Sequence, residues 1–144
     1  MHPYPHRYSA AASARPDGAV PTDSPSLPTL SVAPPPEFDG PGGHWSPETL
    51  LLASLADCFV LTFRAIAGAS KFPYTSVAAR VEGTLEKAAG VAQFTKFETH
   101  ASLVVPAGTD RAKAQLLLER AEHHCLIANS VKGSRTLTAE IAEG

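Results

Sequence analysis

Charge of one sign is what this sequence most lacks. Twelve Lys and Arg face fourteen Asp and Glu, the formal net charge is -2, and no basic block occurs. That balance removes the electrostatic footprint of a nucleic-acid binder or of a protein held on an acidic membrane. Cysteine is nearly as scarce. Cys58 and Cys125 are the whole supply, too few for a disulfide-stapled scaffold, and they do not form a CxxC pair. The glycines of GPGG at 40–43 lack the lysine and hydroxyl of a phosphate loop, so no nucleotide cofactor is expected. The start, MHPYPHRYSAAASARPDG, lacks a basic segment followed by an apolar run, so no secretory signal is expected and a cytoplasmic location is. No internal repeat is visible. At 144 residues and 44% hydrophobic content, the expectation is one domain, 1–144, with a real core.

What is present is concentrated at 46–68, SPETLLLASLADCFVLTFRAIAG. Ser46 is placed as an N-cap, Pro47 at the first helical position, Glu48 in the electropositive first turn and Gly68 at the end. Leu51, Leu55, Cys58, Thr62 and Ala65 make one stripe, while Leu50, Leu52, Val60, Leu61, Phe63 and Ile66 cover much of the rest. A helix apolar all round is enclosed by protein or by membrane. Asp57 and Arg64 are expensive in hydrocarbon, which favours a soluble central helix without membrane insertion. Enclosing it in so short a chain calls for a wrapped sheet or a second subunit.

Around this helix the pattern predicts strands. Arg7–Ala14 and Leu27–Ala33 read as edge strands, with the turn ARPDG at 14–18 between them. The stretch 34–45, PPPEFDGPGGHW, reads as a proline-stiffened connection without regular structure, with Trp45 stapling the helix start near Leu51. Tyr74–Glu86 and Phe94–Val105 alternate as an antiparallel hairpin around the turn at 87–90. Thr109 or Asp110 caps a second helix, from Arg111 to about His123, with Ala114, Leu117, Leu118 and Ala121 inward. Thr136–Ile141 is a last strand. No βαβ rhythm is read, and the class is α+β.

Three pieces of this layout resemble the OsmC/Ohr family of small thiol-dependent peroxidases: SPETLLLASLADCF at 46–59, AEHHCLIANSVKG at 121–133, and the turn ARPDGAV at 14–20. The resemblance implies antiparallel sheets wrapped around a cysteine-bearing helix in an intertwined homodimer, with active sites near the dimer interface. It implies reduction of organic hydroperoxides or hydrogen peroxide, no bound cofactor, and an external dithiol as reductant, a protein-bound lipoyl group in some members. Residue by residue it makes Cys58 the peroxidatic cysteine, Cys125 the resolving cysteine, Arg15 the arginine over the thiolate and Glu48 its carboxylate partner. One departure is plain: the second cysteine is usually followed by proline in the family's better-marked members, and here by Leu126.

Physical chemistry bears on each role. Cys58 lies three turns into its helix, too far for the helix N-terminus to lower its pKa, and apolar surroundings raise it. Activation then calls for a cation from elsewhere, with Arg15 the natural candidate and Glu48 able to hold its guanidinium. The bland alternative is a buried structural cysteine. Cys125 is placed to condense with a Cys58 sulfenic acid, or else is simply an apolar-face residue. His123 and His124 beside Cys125 raise a metal site, but adjacent helical residues point about 100° apart, so none is expected. A non-enzymatic protein binding a small apolar ligand remains the alternative function.

Overall fold

The computed structural model describes residues 2–144 and divides the chain into two compact units, one ending at Leu51 and the other beginning at Leu52. The first holds a small antiparallel sheet in the order β1 (Ala11–Ala12), β2 (Val20–Asp23), β3 (Leu30–Val32). The central strand is one the sequence reading missed, because Pro21 sits inside it. Proline removes a donor but keeps its carbonyl, which accepts from the Ser13 amide at 3.3 Å. The expected strands at Arg7–Ala14 and Leu27–Ala33 shrink to the residues that pair with β2: Ala12 opposite Thr22, Leu30 opposite Thr22 and Val32 opposite Val20.

The proline-rich connection is more ordered than expected. Pro36–Phe38 forms a turn of 3-10 helix, closed by Asp39 in the left-handed region at φ 59°. Trp45 is pinned through its backbone: it bridges Val32, and its carbonyl accepts from the Ala33 amide at 2.9 Å, while the residue stays half-exposed. Next comes helix α1 (Pro47–Ala69). Its cap is reciprocal, with Ser46 Oγ accepting from the Thr49 amide at 3.1 Å and Thr49 Oγ1 accepting from the Ser46 amide at 2.8 Å.

The second unit is built on a mixed sheet, β4 (Ser76–Ala88), β5 (Val91–Val105) and β6 (Ser134–Glu143), in that order. β4 and β5 form the expected hairpin. β6 runs parallel to β5 and is reached through helix α2 (Arg111–His124), which Asp110 caps by accepting from the Lys113 amide at 3.0 Å. The expectation of purely antiparallel sheets with no βαβ unit is therefore corrected. A parallel neighbour needs a crossover, and α2 supplies it. The class is still α+β.

The core lies on one face of this sheet. Ala101, Leu103 and Val105 of β5 pack with Phe59, Phe63 and Ala67 of α1 and with Ala114, Leu117, Leu118 and Ala121 of α2. The buried stripe of α1 is thus Leu55, Phe59, Phe63 and Ala67, beside the stripe read from the sequence; Cys58 is partly exposed. A register shift between Thr84 and Leu85 brings Phe94 to the face of Phe97, their rings stacked 5.5 Å apart, where strict alternation would separate them. There Leu52 of α1 and Phe94 come so near Gly83 that a Cβ would meet both at 2.8 Å.

Candidate functional site: a dithiol held by main-chain amides

Helix α2 ends because Cys125 turns extended, with φ −64° and ψ 110°. The chain then rewinds for one turn: the Asn129 amide donates to the Cys125 carbonyl at 3.0 Å, and Ser130 Oγ donates to the Leu126 carbonyl at 2.9 Å. Three amides at the front of that turn need partners outside it. The Ala128 amide donates to Cys125 Sγ at 3.5 Å. The backbone at Ile127, and less so at Leu126, holds the Cys58 thiol down.

Cys58 receives two further contacts. Thr62, one turn along α1, has its hydroxyl 3.9 Å from Cys58 Sγ, and the Cys125 thiol acts on the same sulfur as a side-chain donor that lowers it. Burial pushes the Cys58 thiol up. The Ile127 amide, the Cys125 thiol, the Thr62 hydroxyl and the Leu126 amide outweigh it, so the group lies below the ordinary thiol value of 9.0. These stabilising groups are all uncharged donors, where the sequence reading looked to a cation.

Cys125 goes the other way. It is 1% exposed, and burial and its own donation to Cys58 push its thiol up to about 11, against the Ala128 amide. The charges of Cys58 and Glu122 push in the same direction. Glu122 and Arg135 line a void of about 10 Å³ with Cys125, their Oε1 and Nε 3.6 Å apart. Burial raises Glu122 above the usual carboxylate range, opposed by Arg135. The two thiols are thus shifted in opposite directions, Cys58 below its ordinary value and Cys125 above it.

Arg15 and Glu48 belong to the first unit. Arg15 is exposed in the turn between β1 and β2. Glu48 lines a cavity of about 370 Å³ whose walls include Val20, Val32, Pro35 and Phe38, and its Oε2 is buried without a hydrogen-bond partner. His123 and His124 are exposed, their rings edge to face at 5.3 Å.

A family model for OsmC-like protein matches residues 40–140, a span that carries the α1 cap, both sulfurs and the amide turn. The chain belongs to the OsmC family. Among its OsmC relatives is the uncharacterized protein YmaD of Bacillus subtilis, 29% identical over 113 residues, covering 76% of this chain and 75% of that one. An organic hydroperoxide resistance protein of Xanthomonas axonopodis pv. citri is 27% identical over 139 residues, covering 94% and 92%. The crystal structure of an organic hydroperoxide resistance protein OsmC from Legionella pneumophila superposes with a TM-score of 0.75 at 26% identity, covering 95% and 97%. The OsmC match includes Glu48, Cys58 and Cys125; Arg15 falls before it.

Reasoning from residue types missed the amides of Leu126 and Ile127, since any residue but proline carries one. The visible signal is the non-proline at 126. Thr62 was legible as the residue one turn from Cys58.

Proposed function

We propose that this OsmC protein is a thiol-dependent peroxidase that reduces organic hydroperoxides, with hydrogen peroxide a poorer substrate. The pairing of Cys58 with Cys125 carries the reading: the Cys125 thiol lowers the Cys58 thiol and is itself raised to about 11. The Cys58 thiolate attacks the terminal oxygen of ROOH; the O–O bond breaks, ROH leaves after taking up a proton, and sulfur is oxidised to the sulfenic acid. The Cys125 sulfur then attacks that sulfur, forming the disulfide and releasing water. A dithiol donates two electrons and two protons to restore both thiols, and leaves as its own disulfide. Leu61, Leu126 and Ile127 are large apolar side chains exposed close to these residues in sequence, and they favour an organic substituent on the peroxide.

We place Arg15 and Glu48 in the site of a second copy. Glu48 and Cys58 are ten residues apart in one helix, roughly 15 Å of axial rise. A guanidinium held by Glu48 is therefore better placed to serve a partner's sulfur than its own chain's. The buried, unpaired Oε2 of Glu48 supports a cation there. An active homodimer follows from this reading.

Reduction of cumene hydroperoxide with a dithiol tests both parts. Cys58→Ser should abolish turnover; retained activity overturns the peroxidase. Glu48→Ala should also lose activity. Mixing the two variants makes roughly half the dimers heterodimeric, each with one intact site, so roughly a quarter of the wild-type rate returns. A silent mixture overturns the shared site.

A further inference from the structure

Resting on the peroxidase reading above, we propose that Glu122 is the base of the resolving step: its carboxylate, held by Arg135, takes the proton from the Cys125 thiol as that sulfur attacks Cys58. Glu122 and Cys125 are three residues apart at the end of α2, which puts both side chains on one face of the helix. Arg135 comes to the same place from β6. It stands in the alternating row that continues through Leu137, Ala139 and Ile141, which pack on the core, so a charge ends an apolar row. Its Nε lies 3.6 Å from Glu122 Oε1, and the two side chains are only 27% and 17% exposed. Arg135 Nη1 donates to Asn129 Oδ1 at 3.3 Å, and Asn129 Nδ2 donates to the His123 carbonyl at 3.3 Å. The pair is thus tied to the chain on both sides of Cys125.

Glu122, Cys125, Arg135 and Thr99 share the walls of one void of about 10 Å³, whose other walls are apolar, with Leu55, Val81 and Phe97 among them. That is room for about one water molecule, so the proton has a short path between thiol and carboxylate. Cys125 is 1% exposed, and bulk water has little access to its proton. Of the polar side chains around the void, an arginine does not accept a proton and a threonine hydroxyl is no base at neutral pH. The Glu122 carboxylate is left as the acceptor. Burial raises Glu122, against Arg135, toward the range in which a carboxyl exchanges protons near neutral pH. The titratable groups facing it are Arg135 from β6 and Cys125 at the end of its own helix, with Cys58 of α1 beyond; the walls from β4 and β5 bring none. In the step, the Cys125 S–H bond breaks and its proton passes to Glu122. The S–S bond forms as the S–O bond of the Cys58 sulfenic acid breaks, and the departing hydroxide takes the proton from Glu122 to leave as water. Cys125 sulfur is oxidised and Cys58 sulfur reduced, so the step needs no further reagent.

The test uses the full chain and no peroxide. One equivalent of dithiodipyridine labels Cys58, the more exposed thiol, as a mixed disulfide. Attack by Cys125 then expels a second thiopyridone, read by its ultraviolet absorbance, and releases the same Cys125 proton. A general base contributes about 10²–10⁴-fold, so Glu122→Gln should slow the second release by roughly a hundredfold at neutral pH and leave the first near wild type. The deficit should shrink as pH rises toward about 11, where the Cys125 thiol ionises without help. A residue acting only through its negative charge gives the opposite sign, because removing that charge eases the ionisation of Cys125 and speeds the release. A second release that is unchanged, faster, or slower by one constant factor at every pH overturns the proposal, as does a wild type that gives none. If Glu122→Gln does not fold, the wild type decides. Its second release must stay level from neutral pH until Cys125 begins to ionise, and a rate climbing about tenfold per pH unit throughout overturns the base. A Glu122-dependent release in a protein that fails to reduce cumene hydroperoxide would sink the peroxidase and leave Glu122 as the base for Cys125.

Discussion

Keeping a donor at position 125 while removing its sulfur separates the two roles assigned to that residue. On the proposed mechanism Cys125 lowers the Cys58 thiol as a side-chain donor and supplies the second sulfur of the disulfide. Cys125→Ser keeps a hydroxyl donor, whereas Cys125→Ala keeps none. A hydrogen bond to a charged acceptor contributes about 1.5–3 kcal/mol. Cys58 is partly exposed, so solvent screening selects the lower end of that range. At about 1.36 kcal/mol per pKa unit, Cys58 should titrate roughly one unit higher in the alanine variant than in the serine variant, which should stay near wild type. The measurement is thiolate ultraviolet absorbance against pH, and in both variants Cys58 is the only thiol left. Both should also lose dithiol-dependent turnover and accumulate Cys58 sulfinic acid under excess tert-butyl hydroperoxide. Equal midpoints for serine and alanine would refute the donation. Wild-type turnover in either would refute the resolving role.

Two further outcomes concern stability. Gly133 has φ 97°, and a Cβ there would lie 2.7 Å from the Thr95 carbonyl oxygen, so the neighbour that must yield is backbone. Gly133→Ala should lower the unfolding free energy by about 1–3 kcal/mol in urea titration, and an unchanged midpoint would show that β5 yields freely. Alkaline stability carries the mark of Cys125, whose thiol titrates near 11 in the folded chain against the ordinary 9.0. Its contribution is complete below pH 9 and lost as pH rises through the folded value, because the unfolded chain releases that proton first. Cys58 has the opposite sign: its contribution grows as pH rises through its lowered value and is complete above 9.0. From pH 9 to 11 the melting temperature should therefore fall further in wild type than in Cys125→Ser.

Elements governed by local pattern were legible in the sequence. The Ser46 cap, the α2 stripe and the β4–β5 hairpin each follow from spacing within a few residues, and Cys58 and Cys125 stood out as the only thiols. Long-range consequences were not legible. The parallel placement of β6 depends on which sheet edge is free after α2 packs, and the register shift near Thr84 cannot be read from alternation. β2 was hidden because Pro21 carries a helix and sheet breaker's label while its carbonyl still pairs. The backbone contributions to the Cys58 thiol were not legible for a related reason: side chains are visible in a sequence, and backbone amides are not.

The crossover that brings Cys125 and the loop after it into the chain also orders the site in time. Cys58 leaves the ribosome 67 residues before Cys125. Its donors arrive only after β5 and α2 have been made and the loop beyond α2 has been folded back onto α1. Until then Cys58 is an ordinary thiol, mostly protonated at neutral pH and slow towards peroxide. Parallel, non-local pairing of the kind that closes β6 on β5 is intrinsically slow to form. On the proposed mechanism, the nascent chain is thereby spared oxidation of its lone early cysteine, and reactivity is conferred together with the sulfur that would resolve it.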